Sequence, residues 1–462
     1  MPRLFSRNDV RKLSVMWRRR RSTHLAPPLK ALSRRIATAS GAILLGLVAL
    51  TFAKAGDWAQ HVFARIVAVW PYAPLILTPA TFAVVMLATQ RWSPEARGSG
   101  IPQVIAATRT PDVAARGPLV SLRTAAAKFG LTIAMLFAGG SVGREGPTVQ
   151  ISAALMVAVH RIFKVPISAG VLIAGGAAGV AAAFNTPLAG VAFAIEELAS
   201  AYEQRVAVLV MAAVMISGLV SLGIAGDYVY FGAMRETLSV SAVLMISPIA
   251  GVTGGLAGGV FTRLVLRFAK SAHPALRRLR SRPVLFAAAC GLAVAVLGLA
   301  TAGSTWGTGY EATRSLVEGH GGSLWFGPAK FLAALATTLS GTPGGIFAPS
   351  LAVGAGVGNL LTPLFPESPA GAVVLLGMVA YFVGVVRAPL TAVIIITETT
   401  ASRGMILPLF ATALIADGVS ALVSKERLYH GLAKPFLDTS AILEAERSGK
   451  APSEDADRIP LG

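Results

Sequence analysis

The sequence predicts an all-α polytopic membrane protein built from two related halves, and three observations carry that prediction. First, 54% of the 462 residues are hydrophobic and only 14% are charged, with a mean hydropathy of +0.66, a composition far from that of soluble globular chains. Second, uncharged runs long enough to cross roughly 30 Å of hydrocarbon recur along the chain. Third, the chain repeats itself. Gly143 and Gly345, Pro147 and Pro349, Gly175 and Gly377, Pro187 and Pro389, Leu188 and Leu390, and Glu196 and Glu398 stand at one constant offset, and Lys128-Phe129 matches Lys330-Phe331 at the same spacing. Repetition on this scale decides an architecture before any single motif does.

Taken in order, residues 1–35 are a basic N-terminal segment. The apolar run after them is longer than a signal-peptide core and ends without a small-residue cleavage pattern, so no cleavage is expected. The arginines at 18–21 resemble a twin-arginine signal only superficially, because Ser-Thr-His-Leu-Ala-Pro-Pro follows them. The membrane part covers residues 36–435. Its first half, about 36–226, has clean spans at 36–53 and 206–226. Between them, 165–195 is too long and too interrupted, by Gly175-Gly176 and Pro187, for one straight helix, and two broken or tilted helices are expected. The second half, about 237–435, has clean spans at 237–262 and 284–302. Residues 436–462 are a tail too short for a regulatory domain.

The net charge of +19 falls in blocks at 18–35, 263–282 and 425–434, each flanking an apolar span. This is the pattern of positive-inside topology, with both termini cytoplasmic, rather than of a nucleic-acid surface. The blocks place the chain ends and the middle connector on one side, so the halves are expected to be inverted. Cys290 is the single cysteine and lies in an apolar run, which excludes an intrachain disulfide and reads as a small core residue. The six histidines form no H-E-x-x-H pattern. With no nucleophile, metal cluster or large ligand domain visible, neither an enzyme nor a receptor is expected, and no metal or cofactor.

The chemistry concentrates in three glycine-rich breaks: Gly98-Ser-Gly-Ile-Pro102, Gly143-Arg-Glu-Gly-Pro147 and Gly344-Gly-Ile-Phe-Ala-Pro349. Each puts glycine before, and proline at, a helix start, where the missing NH of proline costs nothing. The free NH groups and positive dipole end there favour an anion. One such end is not enough. Removing an ion from water costs several kcal/mol even after relaxation, whereas one terminus returns up to ~2 kcal/mol. Several starts must converge, with hydroxyl donors such as Ser99. Repeated halves with interrupted helices are the pattern of transporters that bind substrate between the repeats, and weak multi-point binding suits conduction. Glu145 is then the first suspect: a carboxylate in an apolar span needs a reason. It would compete with a substrate anion for one position, so protonation and anion occupancy would be linked.

In this order the three motifs resemble those of the CLC chloride channel and transporter family, over about residues 36–435. The resemblance implies a CLC-type fold of two inverted repeats with many tilted and re-entrant helices, and a homodimer with one pathway per subunit. It implies that Ser99 and the backbone NH groups of Ile346 and Phe347 contact chloride, supported by Gly98, Gly100, Pro102, Gly143, Arg144, Gly146, Pro147, Gly345 and Pro349 of the same motifs. Tyr429, near the end of the last helix, would lend its hydroxyl, and Glu145 would be the external gating glutamate. The family divides into passive channels and chloride/proton exchangers, and exchangers carry a second, internal glutamate. Glu197, in Ala-Ile-Glu-Glu197, takes that role by resemblance. The implied function is chloride/proton exchange across a membrane, with a passive channel as the alternative. Ser99 in place of proline resembles the chloride-preferring members, and Arg-Glu-Gly-Pro does not resemble the fluoride-exporting branch. The tail leaves no room for the paired cytosolic nucleotide-binding modules that family members often carry. The short tail and the Ala- and Arg-rich composition suggest a bacterial inner membrane.

Each residue also has an ordinary structural reading. Glu145 could pair with Arg144, Ser99 could be an N-cap, and Tyr429 an interfacial aromatic. Glu196 and Glu197 could simply end a helix, and Glu197 aligns with Thr399 rather than with a second glutamate. Lys128 and Lys330 could be snorkelling interface residues.

Overall fold

The computed structural model describes residues 27–199, 204–226 and 229–448. The basic segment before residue 27 and the tail after 448 lie outside the described residues, and so do the expectations about the arginine run and cleavage. The first half contains α1 (Pro27–Val69), α2 (Pro74–Trp92), α3 (Ile101–Arg109), α4 (Pro111–Ala114), α5 (Leu122–Phe137), α6 (Glu145–Ile162), α7 (Ala169–Phe184), α8 (Pro187–Phe193) and α9 (Gln204–Ala225). The second contains α10 (Val240–Lys270), α11 (Pro274–Arg280), α12 (Pro283–Ala300), α13 (Tyr310–Val317), α14 (Phe326–Ser340), α15 (Phe347–Leu361), α16 (Ala370–Val386), α17 (Pro389–Thr400), α18 (Ile406–Val423) and α19 (Leu428–Ser448). Among the described residues seven helices are long and apolar enough to cross a membrane: α1, α2, α9, α10, α12, α15 and α18.

The span expected at 36–53 is part of a longer helix. With 43 residues at 1.5 Å each, α1 is roughly 65 Å long, twice the hydrocarbon thickness. It continues because its polar positions beyond residue 53 find partners, Asp57 with Arg144 at 2.7 Å among them. The interrupted stretch at 165–195 is two helices, as its glycines and proline predict. At the other end α19 runs through the boundary placed at residue 435, with Pro435 inside it.

Local sequence explains the breaks. Helix α7 ends at Asn185 (φ 57°) and α16 at Arg387 (φ 61°), two left-handed residues at the repeat offset. Pro187 and Pro389 start the next helices two residues later, the usual order of a left-handed stop followed by proline. Both α7 and α16 are apolar on every side and buried along nearly their whole length, which makes them the centres of their halves.

Two contacts show how the halves are related. Gly143 and Gly345, repeat mates, pair antiparallel and exchange NH-to-carbonyl bonds of 2.8 Å in both directions. An antiparallel pair of equivalent residues is what a two-fold axis passing between the halves produces, the relation that inverted repeats require. The second contact is a reciprocal cap. Glu196 accepts from the NH groups of Leu390 (2.9 Å) and Thr391 (2.7 Å) at the start of α17, while Glu398 accepts from those of Leu188 (3.3 Å) and Ala189 (2.9 Å) at the start of α8. Each carboxylate serves NH groups that have no partner within their own helix, at the end where negative charge is favoured.

Lys128 and Lys330 do not snorkel. Both are fully buried; Lys128 Nζ donates to the carbonyls of Gly98 (2.8 Å) and Arg97 (3.3 Å), and Lys330 Nζ to those of Gly307 (2.8 Å) and Thr305 (2.9 Å). Each holds a non-helical connection whose carbonyls would otherwise lack donors.

Candidate anion pathway

The three breaks meet at one junction. Gly344 NH donates to the Gly98 carbonyl at 3.1 Å and Gly98 NH to that of Gly341 at 3.3 Å, tying the first break to the third. The Gly143–Gly345 pair ties the second to the third. At Gly146 a Cβ would overlap Ser99 Oγ, and at Gly345 it would stand 2.9 Å from the Gly143 carbonyl oxygen. Glycine is required at these two positions by backbone approach. Proline falls in the first turn each time, second in α3 (Pro102) and third in α6 (Pro147) and α15 (Pro349).

Glu145, the first residue of α6, is fully buried. Its Oε2 accepts from the NH of Ala348 at 3.3 Å, in the first turn of α15, so the carboxylate of one half caps the helix start of the other. The expected alternative, a pair with Arg144, does not form. Arg144 turns away, its Nη1 donating to Asp57 Oδ1 and the Ala53 carbonyl, both at 2.7 Å, and its Nη2 to the Tyr230 hydroxyl at 3.3 Å.

Around Glu145 lie buried polar atoms with no hydrogen-bond partner: Glu145 Oε1, Ser99 Oγ and Tyr429 Oη. The Tyr429 hydroxyl stands alongside that of Ser99 and within electrostatic reach of Glu145 and Glu197, but neither hydroxyl completes a bond. Buried hydroxyls are ordinarily satisfied, and two that converge at helix starts suit an acceptor such as an anion. Tyr429 lies in the first turn of α19, not near the end of the last helix, because the chain re-enters the protein with this helix instead of leaving it. The Phe347 ring closes the junction, packing on Phe184, Phe193, Phe382 and Tyr429 at centroid distances of 6.4, 5.8, 4.9 and 5.9 Å.

A cavity of about 610 Å³ leads to Ser99, with Gly345 and Ile346 also in its wall. Arg97 and Arg280 contribute to the lining, which suits an anionic ligand. Its lining also includes Phe268, Arg280 and Leu432, so it lies against the basic segments 263–282 and 425–434.

Glu197 stands apart from this junction. After α8 the chain makes one wide π-type turn, Ala194–Leu198, closed by Ala199 NH to the Ala194 carbonyl at 2.9 Å. Such turns add a residue to a helix and often occur at functional sites. Here Glu196 reaches α17 while Glu197 points inward, its side chain 0% exposed, with no hydrogen bond to either oxygen. The nearest opposite group is His430, Nδ1 to Oε1 3.3 Å. Sequence reasoning missed His430, Asp57 and the reciprocal caps. The repeat at Glu196/Glu398 and Lys128/Lys330 signalled that those residues matter, whereas nothing in the sequence linked 57 to 144 or 197 to 430.

Comparison with known proteins agrees with this geometry. Residues 81–421 match the family described as voltage gated chloride channel. The chain is 31% identical over 437 residues to the H(+)/Cl(-) exchange transporter ClcA of Salmonella typhimurium, covering 89% of this chain and 90% of that one. It is likewise 31% identical over 424 residues to ClcA of Yersinia pseudotuberculosis, with coverage of 84% and 85%. Among solved structures, the fold is similar to a slow cyanobacterial Cl-/H+ antiporter (TM-score 0.74, 24% identity, 90% and 99% covered). It is also similar to a CLC-type fluoride/proton antiporter (TM-score 0.71, 21% identity, 87% and 98% covered). With its inverted halves, converging helix starts and this similarity along most of its length, the chain belongs to the CLC family of multi-pass membrane proteins that transport anions, and it is not an enzyme.

Proposed function

We propose that the protein exchanges chloride for protons across a bacterial inner membrane. The observation that carries this reading is the Glu145 carboxylate, fully buried at the start of α6 and bound to the Ala348 NH of α15, beside the unbonded hydroxyls of Ser99 and Tyr429. Ionised, it holds the position that a substrate anion would take. Protonation removes its charge and its claim on that NH, and the side chain leaves. Chloride then accepts from Ser99, Tyr429 and the NH groups of Ile346 and Phe347, which start α15 and have no intrahelical acceptor. Because one proton and one anion exclude alternative states of a single position, their movements are linked. Glu197 carries protons between Glu145 and the side of the basic segments, which we place in the cytoplasm with both termini. The exchange activity named for the ClcA relatives supports this assignment.

A second copy completes the assembly, with one pathway in each. Glu196 and Glu398 are only partly buried beside Leu188, which is 62% exposed. Carboxylates facing lipid are costly, and a partner would shield them. Subunit crosslinking in native membranes tests this.

The deciding measurement uses purified protein in liposomes with a chloride gradient, no proton gradient, and voltage held near zero by potassium and valinomycin. Uphill proton movement establishes exchange. Chloride flux without it makes the protein a passive channel, and flux of fluoride alone removes the chloride assignment.

A further inference from the structure

We propose that His430 is the proton-loading residue of Glu197, passing protons between solvent on the basic-segment side and the buried carboxylate; this rests on the exchanger reading above. Glu197 has no route of its own to solvent, since its side chain is 0% exposed and neither oxygen has a protein donor. His430 spans the gap. Its Nδ1 is buried 3.3 Å from Glu197 Oε1 while 31% of the side chain remains exposed. The pair stands at ion-pair distance without a completed hydrogen bond, so neither the imidazole nor the carboxylate is committed to the other as a structural clamp would be. An imidazole binds a proton on one nitrogen and releases one from the other near neutral pH, the property a relay requires.

The position follows from two features already described. The π-type turn pushes Glu197 inward, and re-entry of α19 brings its first turn against that turn, with Tyr429 at the anion site and His430 at the proton site. The other charged groups nearby leave His430 to Glu197. Glu426 is engaged by Lys270 and Lys434, and Arg97 is stacked over Phe436.

The test is His430→Gln in the liposome assay. Proton-coupled exchange should slow by about a hundredfold, the lower end of what a positioned proton-transfer group contributes, and imidazole added on the basic-segment side should restore it. The same substitution made in the Glu145→Gln protein should leave the chloride flux of that protein unchanged, which shows that the fold and anion path are intact. Unchanged proton flux in His430→Gln overturns the proposal. So does slowing that imidazole does not restore, or a loss of chloride flux in the Glu145→Gln background, since either means a structural role. Glu197→Gln separates the two levels: if it abolishes proton movement while His430→Gln does not, the internal glutamate stands and His430 falls. If Glu197→Gln moves protons normally, the internal-glutamate assignment itself fails.

Discussion

The two halves share a backbone and differ in what they hang on it. At the start of α6 the first half presents Arg144 and Glu145; at the start of α15 the second presents Ile346 and Phe347. The Gly143–Gly345 pairing is symmetric to the limit of its two 2.8 Å bonds, and Glu196 and Glu398 cap each other's half, although Glu196 alone also accepts from a hydroxyl, that of Thr391 at 2.7 Å. One position later symmetry ends. Glu197 is turned inward by a π-type turn, whereas its mate Thr399 stays in a regular helix, its hydroxyl bonded back to the Ile395 carbonyl at 2.6 Å. The difference teaches that a repeat supplies converging helix starts from both halves, while the two buried glutamates among the described residues, Glu145 and Glu197, stand in the first half alone. Position 347 does not suit a second carboxylate. A carboxylate there would stand within the ring cluster, and a second charge would need its own compensation.

Substitutions that erase the asymmetric groups have the largest expected effects. Glu145→Gln, a permanent mimic of the protonated side chain, should drop proton flux by about a hundredfold or more while chloride still moves without pH dependence in the liposome assay. Proton coupling that survives would remove Glu145 from the gate. Glu197→Gln should also stop protons and leave chloride flux. Against these, Thr399→Val should change neither flux, because its hydroxyl is used locally.

The helix starts and caps predict smaller effects. Gly146→Ala forces a Cβ onto Ser99, and overpacking of this kind costs about 1–3 kcal/mol, so chloride affinity measured by titration calorimetry should fall by roughly tenfold. Glu196→Ala and Glu398→Ala each remove one cap and should lower stability by about 1 kcal/mol, more for Glu196, which also loses the Thr391 hydroxyl, as read from thermal unfolding in detergent. Equal losses would mean that the Thr391 hydroxyl adds nothing to the Glu196 cap.

The smallest effect concerns Glu426, in the connection before α19. Hydrogen bonds from Lys270 and Lys434 hold its carboxyl below the ordinary carboxylate range. Its contribution is therefore present above that range and lost as pH falls through its lowered value. Thermal stability should decline on that acid limb, and Glu426→Gln should flatten the decline.

Most of the helical layout was legible. The interrupted stretch at 165–195 and the four clean spans correspond to helices, because an apolar run bounded by glycine, proline or charge has few other solutions in lipid. The length of α1 was not legible, since the groups that its polar positions meet past residue 53, Arg144 and Thr308 among them, lie far along the chain. Burial of Lys128 and Lys330 was missed for a similar reason. A lysine in an apolar helix reads as an interface residue until the carbonyls it binds are known, and those of Gly98 and Gly307 come from separate connections.

By itself, then, the sequence determined the membrane class, the repeat, and the three breaks with Ser99 and Glu145 inside them, because hydropathy, spacing and the glycine–proline order are local properties of the chain. Only the tertiary structure decided which helix start receives the Glu145 carboxylate, where Arg144 points, and that Glu197 faces His430. Those contacts join residues far apart in the chain, two of the three across the halves, and their geometry depends on how the repeats close around their axis, which no local pattern of residues encodes.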